Sequence, residues 1–493
     1  MISLTASDFY NYLRPSKCDL RVYFKSIGKK EAPPGPYEEV LLRLGERHER
    51  LHLSTFPDYV DLREGGLEDR ERKTKEAVES GASVIYQAVL RSSHEFGGRR
   101  YEILGEPDFV IRHQKNYIIR DSKMSHRITE ADHPEILRQL GIYGWLYEKT
   151  FGMPPLRLEV HSGRGDIVEV AYDGGVAALG LLEHIATLKV AEAEMRSPVG
   201  WSKCGGCPFR KYCWPKAEAN KDVALVPGVD QSIAVALREQ GVSTIEDLLR
   251  NFDESTLSEF KRPWGNRMQR VGKGAGSILC MAQAISQGKE IMIQIPTVPD
   301  HSNYVMFDLE GLPPQLDELE MIYLWGMQVF GKQSSDFMPA IAGFGEEGDR
   351  EGWQSFLNNA ASILAKYGDI PFVHWHHYER VKIDLYVEKY GDRDGIAGRV
   401  KGNLLDLLPI TQRSIALPLP SYSLKEVEKY LGYKRTVEEY GGDWAIAKYI
   451  EAIETEDEGQ RQDLMDKILN YNREDLEATW IVLSWLKSKV KRS

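Results

Sequence analysis

The 493-residue sequence contains no run approaching the roughly eighteen consecutive apolar residues of a membrane-spanning helix. Its opening, MISLTASDFYNYLRPSKC, lacks a basic-then-apolar leader layout. A cytoplasmic chain with no membrane partner is expected. Positive charge is also short: 63 Lys and Arg against 74 Asp and Glu leave a net charge of −11. That excludes a basic coat spread over the whole surface, but not a local basic groove. Cysteine is scarce, with five in all, too few for a disulfide framework in a chain this long. Internal repeats and low-complexity tracts are missing as well.

What remains is 42% hydrophobic and 28% charged, the composition of a folded globular protein. The length exceeds one ordinary core, so about two to four domains are expected, with an α/β multidomain fold. Three sections separate on pattern. Residues 1–217 hold alternating strands, amphipathic helices and a cysteine cluster. Residues 218–297 read as helical. Residues 298–493 form a second α/β section after the Pro-punctuated stretch QIPTVPDHSN.

In the first section, YEILGEPDFVIR and NYIIRDSK alternate as two strands, with HQK at the turn. Asp108 falls near the start of one strand and Asp121 near the end of its neighbour, which places them close in an antiparallel pair. Asp121 and Lys123 are two apart and share a face. Two adjacent carboxylates repel unless a cation such as Mg²⁺ or Mn²⁺ lies between them. The bland alternative is a surface hairpin with an ordinary Asp–Lys pair. Upstream, LLRLGERHERLHL is a helical pattern containing His48 and His52; downstream, Gln139 and Tyr143 lie four apart on a helix.

This order of helical His, P-D, D-x-K and Q-x-x-x-Y resembles the RecB family of PD-(D/E)XK nucleases. The resemblance implies a restriction-endonuclease-like fold with His48, Asp108 and Asp121 on the metal and Lys123 catalytic. It also puts Gln139 and Tyr143 against nucleic acid; His52 competes with His48 for its role. The cysteines fit the same picture. Cys204, Cys207 and Cys213 form C-x-x-C followed by a third Cys, and Cys18 stands far upstream. Four thiolates suit iron–sulfur or zinc, and similarity to cluster-bearing RecB-like nucleases implies a 4Fe–4S centre, with zinc the alternative. By analogy with loop closure over such a length, that staple is worth about 5 kcal/mol. Cys280, in the apolar run GSILCMAQAI, reads instead as a buried small hydrophobe.

The middle section, LVPGVDQSIAVALREQGVSTIEDLL, resembles a helix-hairpin-helix unit. Backbone N–H groups at the Gly228 and Gly241 turns would then meet phosphates without reading sequence. RMQRVGKGAGSILCMAQAI is a second candidate hairpin, and a plain helical spacer is the alternative.

In the last section, NYVMFDLEG is an apolar strand on which Asp308 and Glu310 share a face. Near the end, Tyr471 and Asp475 lie four apart on an amphipathic helix. D-x-E followed by Y-x-x-x-D resembles the tyrosine-bearing DEDD exonucleases of the RNase H-like (DnaQ-like) superfamily. Where that family carries its second motif, this sequence has PFVHWHHYERVKIDLY. Glu379 is assigned as the third acid, Asp384 is the alternative, and Asp406 borders the site. The resemblance implies two Mg²⁺ or Mn²⁺ ions about 4 Å apart, held by Asp308, Glu310, Glu379 and Asp475, with Tyr471 beside the attacking water.

Taken whole, the chain resembles RecB-like nucleases fused to a DEDD-type domain. The function expected is a metal-dependent nuclease with two active sites, RecB-like and 3′–5′ exonuclease-like, acting on single-stranded DNA or DNA ends in repair, recombination or defence. A nucleic-acid-binding scaffold with one or both sites inactive, and a nuclease whose C-terminal site prefers RNA, are the alternatives.

Overall fold

The structure is a computed structural model that describes residues 2–14, 16–192, 194, 204–265, 267–313, 321–343, 345–437 and 441–490. Among these, no helix is long and apolar enough to cross a membrane. The chain divides into two compact units. The first takes the described residues up to 194 and 204–211. The second takes 212–313 and 321–490, so the segment expected as a separate middle section clusters with the C-terminal one.

The first unit is built on two sheets. A three-stranded sheet runs in the order β1 (Ile2–Thr5), β5 (Arg99–Gly105), β4 (Leu90–Phe96). A six-stranded sheet runs β2 (Val60–Asp61), β3 (Val84–Tyr86), β6 (Phe109–His113), β7 (Asn116–Ser122), β8 (Arg157–His161), β9 (Ile167–Val170). The single strand expected across YEILGEPDFVIR is therefore two strands in different sheets. Glu106 and Pro107 break it because Pro cannot donate to a ladder. Strands β6 and β7 do form the expected antiparallel hairpin, pairing Phe109 with Arg120 and His113 with Asn116. Asp108 thus lies directly before β6 and across from Asp121.

Two helices flank the sheet. The helix Pro36–Leu53 starts with Pro in its first turn, where the missing N–H costs nothing. The helix Pro134–Phe151 starts the same way and ends at Gly152, whose φ of +72° suits a left-handed cap. This second helix is the crossover between the parallel strands β7 and β8. It buries Ile136, Leu140, Tyr143 and Leu146 in the unit's core. Tyr143 and Leu146 lie so close to Gly105 that a Cβ there would sit 2.6 Å from the tyrosine ring and 2.7 Å from the leucine methyl.

The second unit contains an exposed hairpin, β10 (Lys261–Trp264) with β11 (Arg267–Arg270), and a short pair, β12 (Ile291–Met292) with β18 (Ile415–Ala416). Its main sheet runs β15 (Met338–Ile341), β14 (Ile322–Gly331), β13 (Asn303–Gly311), β16 (Phe372–His374), β17 (Leu404–Asp406). Strands β13, β15, β16 and β17 run in one direction, and β14, antiparallel to both β13 and β15, runs against them. The apolar run of β13 is buried from Tyr304 to Phe307, as expected of a central strand covered on both faces. Trp325 of β14 packs on Trp353 and Phe356 of the helix Gly345–Tyr367, with ring centroids 5.2 and 4.6 Å away. Rings buried in this way are worth about 2–3 kcal/mol each.

Between Asp222 and Gly288 the described chain is mostly helical. Helices Gln231–Glu239 and Ile245–Asn251 flank a turn at Gly241, whose φ is +79°, and Gly228 takes +88°. The second helical hairpin does not form. RMQR is strand β11, and a helix begins only at Ala275. Cys280 on that helix is half-buried rather than fully enclosed.

The close approach at Gly105 yields a direct test. Gly105→Ala should destabilise the protein by about 1–3 kcal/mol, the usual cost of overpacking a filled core. Urea unfolding would read this as a lower midpoint with an unchanged slope; an unaltered midpoint would show that the tyrosine yields freely.

Candidate active sites

In the first unit, the hairpin brings Asp108, Asp121 and Lys123 together. The Asp108 N–H donates to Asp121 Oδ1 at 3.1 Å, and the Ser122 N–H donates to Asp108 Oδ2 at 2.8 Å. Lys123 Nζ lies 2.8 Å from Asp121 Oδ2. Asp121 is only 1% exposed. Burial, and then the Asp121 charge, push the Asp108 carboxyl well above the carboxylate range. Burial works to lower the Lys123 ammonium, but Asp121 and Asp108 overrule it and raise it. Two carboxylates facing one ammonium leave negative charge that a divalent cation with oxygen preference would neutralise.

Two residues that the sequence reading passed over complete this arrangement. Gln87 Nε2 donates to Asp108 Oδ1 at 3.1 Å and to Glu49 Oε1 at 2.7 Å, and Tyr86 donates its hydroxyl to the same Glu49 oxygen at 2.7 Å. Gln87 also holds the Asp108 carbonyl through its own N–H at 2.8 Å, from a left-handed backbone with φ of +56°. A non-glycine residue there costs energy and marks a position held by its surroundings. The sequence signal was weak: Glu49 is one residue from His48, and Gln87 looks like any strand-end amide.

His48 takes a different place. Its ring stacks on His161 with centroids 4.3 Å apart, and its Nε2 is 3.4 Å from the His161 carbonyl, which also accepts from the Lys123 N–H at 2.9 Å. His52 stacks on the other side of His161 at 3.9 Å and meets Arg120 at 3.1 Å. Burial and neighbouring positive charge hold His52 down to about 3 and His161 down to about 4, so both are neutral. Among the described residues, His48 is not gathered with Asp108 and Asp121 into a three-ligand cluster. Gln139 donates to the Tyr143 hydroxyl at 2.8 Å on the helix Pro134–Phe151. Burial and then the charge on Asp121 push that tyrosine well up, so it stays protonated.

In the second unit, one oxygen each from Asp308, Glu310 and Asp475 lies within 4.8 Å of the others. Strand β13 supplies the first two, and the 33-residue helix Glu458–Val490 supplies the third. Asn472 Nδ2 donates to Asp308 Oδ2 at 2.7 Å. Asp308 pairs with Gly326 across the sheet, where a Cβ would collide with the Asn472 amide. The Tyr323 hydroxyl reaches Glu310 Oε2 at 3.5 Å. Burial first, then the charge on Asp475, lifts Asp308 and Glu310 well above the carboxylate range. Burial also raises Asp475, although Arg435 and the Tyr471 hydroxyl favour its charged form. This all-oxygen set, with Glu310 and Asp475 buried and Asp308 half-buried, fits a hard divalent cation, Mg²⁺ or Mn²⁺.

Glu379 is buried at the start of the helix Tyr378–Tyr390, with His374 Nδ1 2.9 Å from its Oε2. It adds to the negative field on Asp308 but stays outside the tight cluster. The alternative acid, Asp384, is exposed and paired with Lys401. Asp406 is a cap, accepting the N–H groups of Leu408 and His376 at 3.0 Å each. Tyr471 is buried, and its ring lies 5.4 Å from the Arg435 guanidinium. Arg435 is another residue that the sequence reading missed: its side chain is 4% exposed, chelated by Glu428 and paired to Asp475.

Cys18, Cys204 and Cys207 belong to the first unit, and Cys213 falls in the second. All four are thiols rather than disulfide halves, and Cys204 is buried. Cys18 caps the helix Asp19–Ser26, whose Phe24 ring lies 5.8 Å from Phe209, just after the C-x-x-C turn. The Ala32 N–H also donates to the Pro208 carbonyl at 2.9 Å.

Residues 36–214 match the PD-(D/E)XK nuclease superfamily, and residues 305–487 match RNase_H_2 of the RNase H superfamily. Two such domains are therefore fused in this one chain. No curated protein matches it. Solved structures that it resembles include SSO0001, 17% identical, with 43% of this chain and 86% of that one covered at a TM-score of 0.25. A "Putative exonuclease" from Eubacterium rectale is 13% identical, with 43% and 87% covered at a TM-score of 0.26. Likenesses this loose carry no argument.

The lifted carboxyls of the second unit define a pH dependence. Above about pH 4 the folded protein holds protons that the unfolded chain releases. Each raised pKa contributes stability that is present below about pH 4 and is lost as pH rises through the folded value. In chelator, wild-type protein should therefore lose melting temperature with rising pH faster than Asp308→Asn. Mn²⁺ at about 100 times its Kd should restore about 2.7 kcal/mol to the wild type alone. Parallel curves for the two proteins in differential scanning fluorimetry would contradict this.

Proposed function

We propose that this fusion of a PD-(D/E)XK nuclease superfamily domain with an RNase H superfamily domain hydrolyses phosphodiester bonds of single-stranded DNA or DNA ends at two separate, metal-dependent sites. The observation that supports it most is the largely buried oxygen cluster of Asp308, Glu310 and Asp475. Like charges are kept together out of water only where a cation compensates them. A Mg²⁺ or Mn²⁺ bound there would make a coordinated water more acidic and neutralise phosphate charge.

The chain's own groups supply the remainder. At the first site, Asp108 and Asp121 hold the cation, and Lys123, kept charged by them, stabilises charge gathering on the phosphate oxygens. Gln139 offers a neutral donor to the nucleic acid, and Tyr143, 3% exposed in the core, positions it through its hydroxyl. At the second site, Asp308, Glu310 and Asp475 hold cations and Glu379 adds the fourth negative charge. Tyr471, whose hydroxyl burial keeps protonated, orients the attacking water for 3′–5′ removal of nucleotides. The Gly228 and Gly241 turns add backbone contacts to phosphates.

Labelled single-stranded DNA with Mn²⁺ tests this reading. Asp121→Ala and Asp308→Ala should each cut the cleavage of their own site by about 100-fold or more, beyond what loss of an outer-shell partner costs. Undiminished cleavage in both variants would remove the hydrolase reading, and faster turnover of a parallel RNA substrate would reassign the C-terminal site.

The four thiolates are proposed to hold a 4Fe–4S cluster with a structural role rather than one in electron transfer. Aerobically stable brown protein with equal amounts of iron and sulfide is the expected result. Colourless protein containing zinc would replace the cluster with a tetrahedral zinc site.

A further inference from the structure

The hairpin β10–β11 has no place in either acidic site, and its composition is unlike that of the rest of the chain. The stretch KRPWGNRMQRVGK carries five Lys and Arg and no acid, in a protein of net charge −11. Two large apolar side chains stand in solvent on it: Trp264 is 60% exposed and Met268 is 61% exposed. A lone two-stranded ribbon is marginal in water, so something must hold it. Arg262 does. It is mostly buried, ion-paired to Asp230 at 3.1 Å, and donates to Ser232 Oγ at 2.7 Å. Its guanidinium also lies over the Trp264 ring at 4.5 Å. Asp230 in turn caps the helix Gln231–Glu239 by accepting the Ile233 N–H at 2.9 Å. The indole is thus backed on one face by an immobilised cation while the ring stays largely open to solvent.

The strand register divides the remaining cations between the two faces of the ribbon. Arg267 lies directly across from Trp264 on its own face beside the Gly265 turn, and Lys261 and Arg270 face each other on the opposite face at the base. Lys261 and Arg267 make no ion pair among the described residues. Arg270 has Glu259 at 3.0 Å, with both side chains 60% exposed, and a pair that open is weak enough to exchange for a phosphate. A rigid aromatic platform with a cation beside it, on a narrow ribbon whose reverse face carries two more, is the chemistry that binds an unpaired base and its flanking phosphates. An apolar protein partner would gain nothing from the cations, and intact duplex keeps its base faces stacked away.

We propose that the hairpin Lys261–Arg270 is a single-stranded DNA binding arm. Trp264 stacks on an unpaired base, Arg267 meets the adjoining backbone on the same face, and Lys261 and Arg270 meet it where the strand passes the reverse face of the ribbon. The proposal rests on the hydrolase reading only for its choice of DNA. Binding by the full chain is measured in chelator, where nothing is cut, by fluorescence anisotropy of a labelled oligonucleotide containing 2-aminopurine. Trp264→Ala should weaken binding roughly 10-fold and abolish the 2-aminopurine quench, while Trp264→Phe keeps both. Replacing Lys261, Arg267 and Arg270 with Gln should reduce the slope of log affinity against log salt by about 2, at about 0.7 for each phosphate no longer neutralised.

Unchanged affinity and quench in Trp264→Ala would overturn the proposal. So would equal binding of duplex, or preference for an RNA oligonucleotide of the same sequence. Wild-type protein that binds through Trp264 yet cuts nothing in Mn²⁺ supports the arm and removes the hydrolase reading. Wild-type cleavage alongside normal binding by Trp264→Ala does the reverse.

Discussion

Repulsion between carboxylates shut away from water is the constraint on which both acidic sites depend. An isolated buried carboxylate is already costly, and a second beside it is worse. Here the first unit sets Asp108 against Asp121 across a hairpin, and the second sets Asp308, Glu310 and Asp475 within 4.8 Å. Each arrangement is partly compensated from inside. Lys123 answers the first and Arg435 the second, and backbone N–H groups and the amides of Gln87 and Asn472 take up single oxygens. What these groups leave unbalanced is negative charge of the kind that suits a divalent cation.

Small residues make the compensation possible. Gly326 leaves the opening through which Asn472 reaches Asp308, and Gly105 lets Tyr143 lie flat against the backbone. Neither glycine needs a left-handed backbone; each is there for room. Strain appears instead at Gln87 and His376, whose φ values of +56° and +79° lie beside Asp108 and Glu379. Their neighbours hold them in place: Gln87 by the Asp108 carbonyl, His376 by the Asp406 carboxylate.

The sequence disclosed what short-range periodicity controls. The alternation around Asp108 and Asp121 predicts their juxtaposition, because a two-strand hairpin fixes register by counting. The four-residue spacing of Tyr471 and Asp475 likewise places both on one helical face. What stayed hidden depends on long-range pairing. Arg435, Asn472, Gln87 and Glu49 reach their acids through contacts that no local pattern encodes. The stretch RMQR was misjudged because its charges suit a helix and its partner strand KRPW contains a proline. Tertiary anchoring through Arg262 and Asp230 decided the matter in favour of a ribbon. Sequence spacing does not distinguish Glu379 from Asp384, whereas the structure buries the first and leaves the second exposed and paired with Lys401.

The helix Glu458–Val490 behaves as a ruler. Asn472 and Asp475 are pinned to strand β13 and Arg435 near its middle, and Lys487 is tied to the Tyr304 hydroxyl at 2.7 Å toward its end. One residue gained or lost between Asp475 and Lys487 turns everything beyond it by about 100°, so both attachments cannot survive the change. The interval between those two fastenings is therefore closed to insertion and deletion, while substitutions on its solvent side are free to drift.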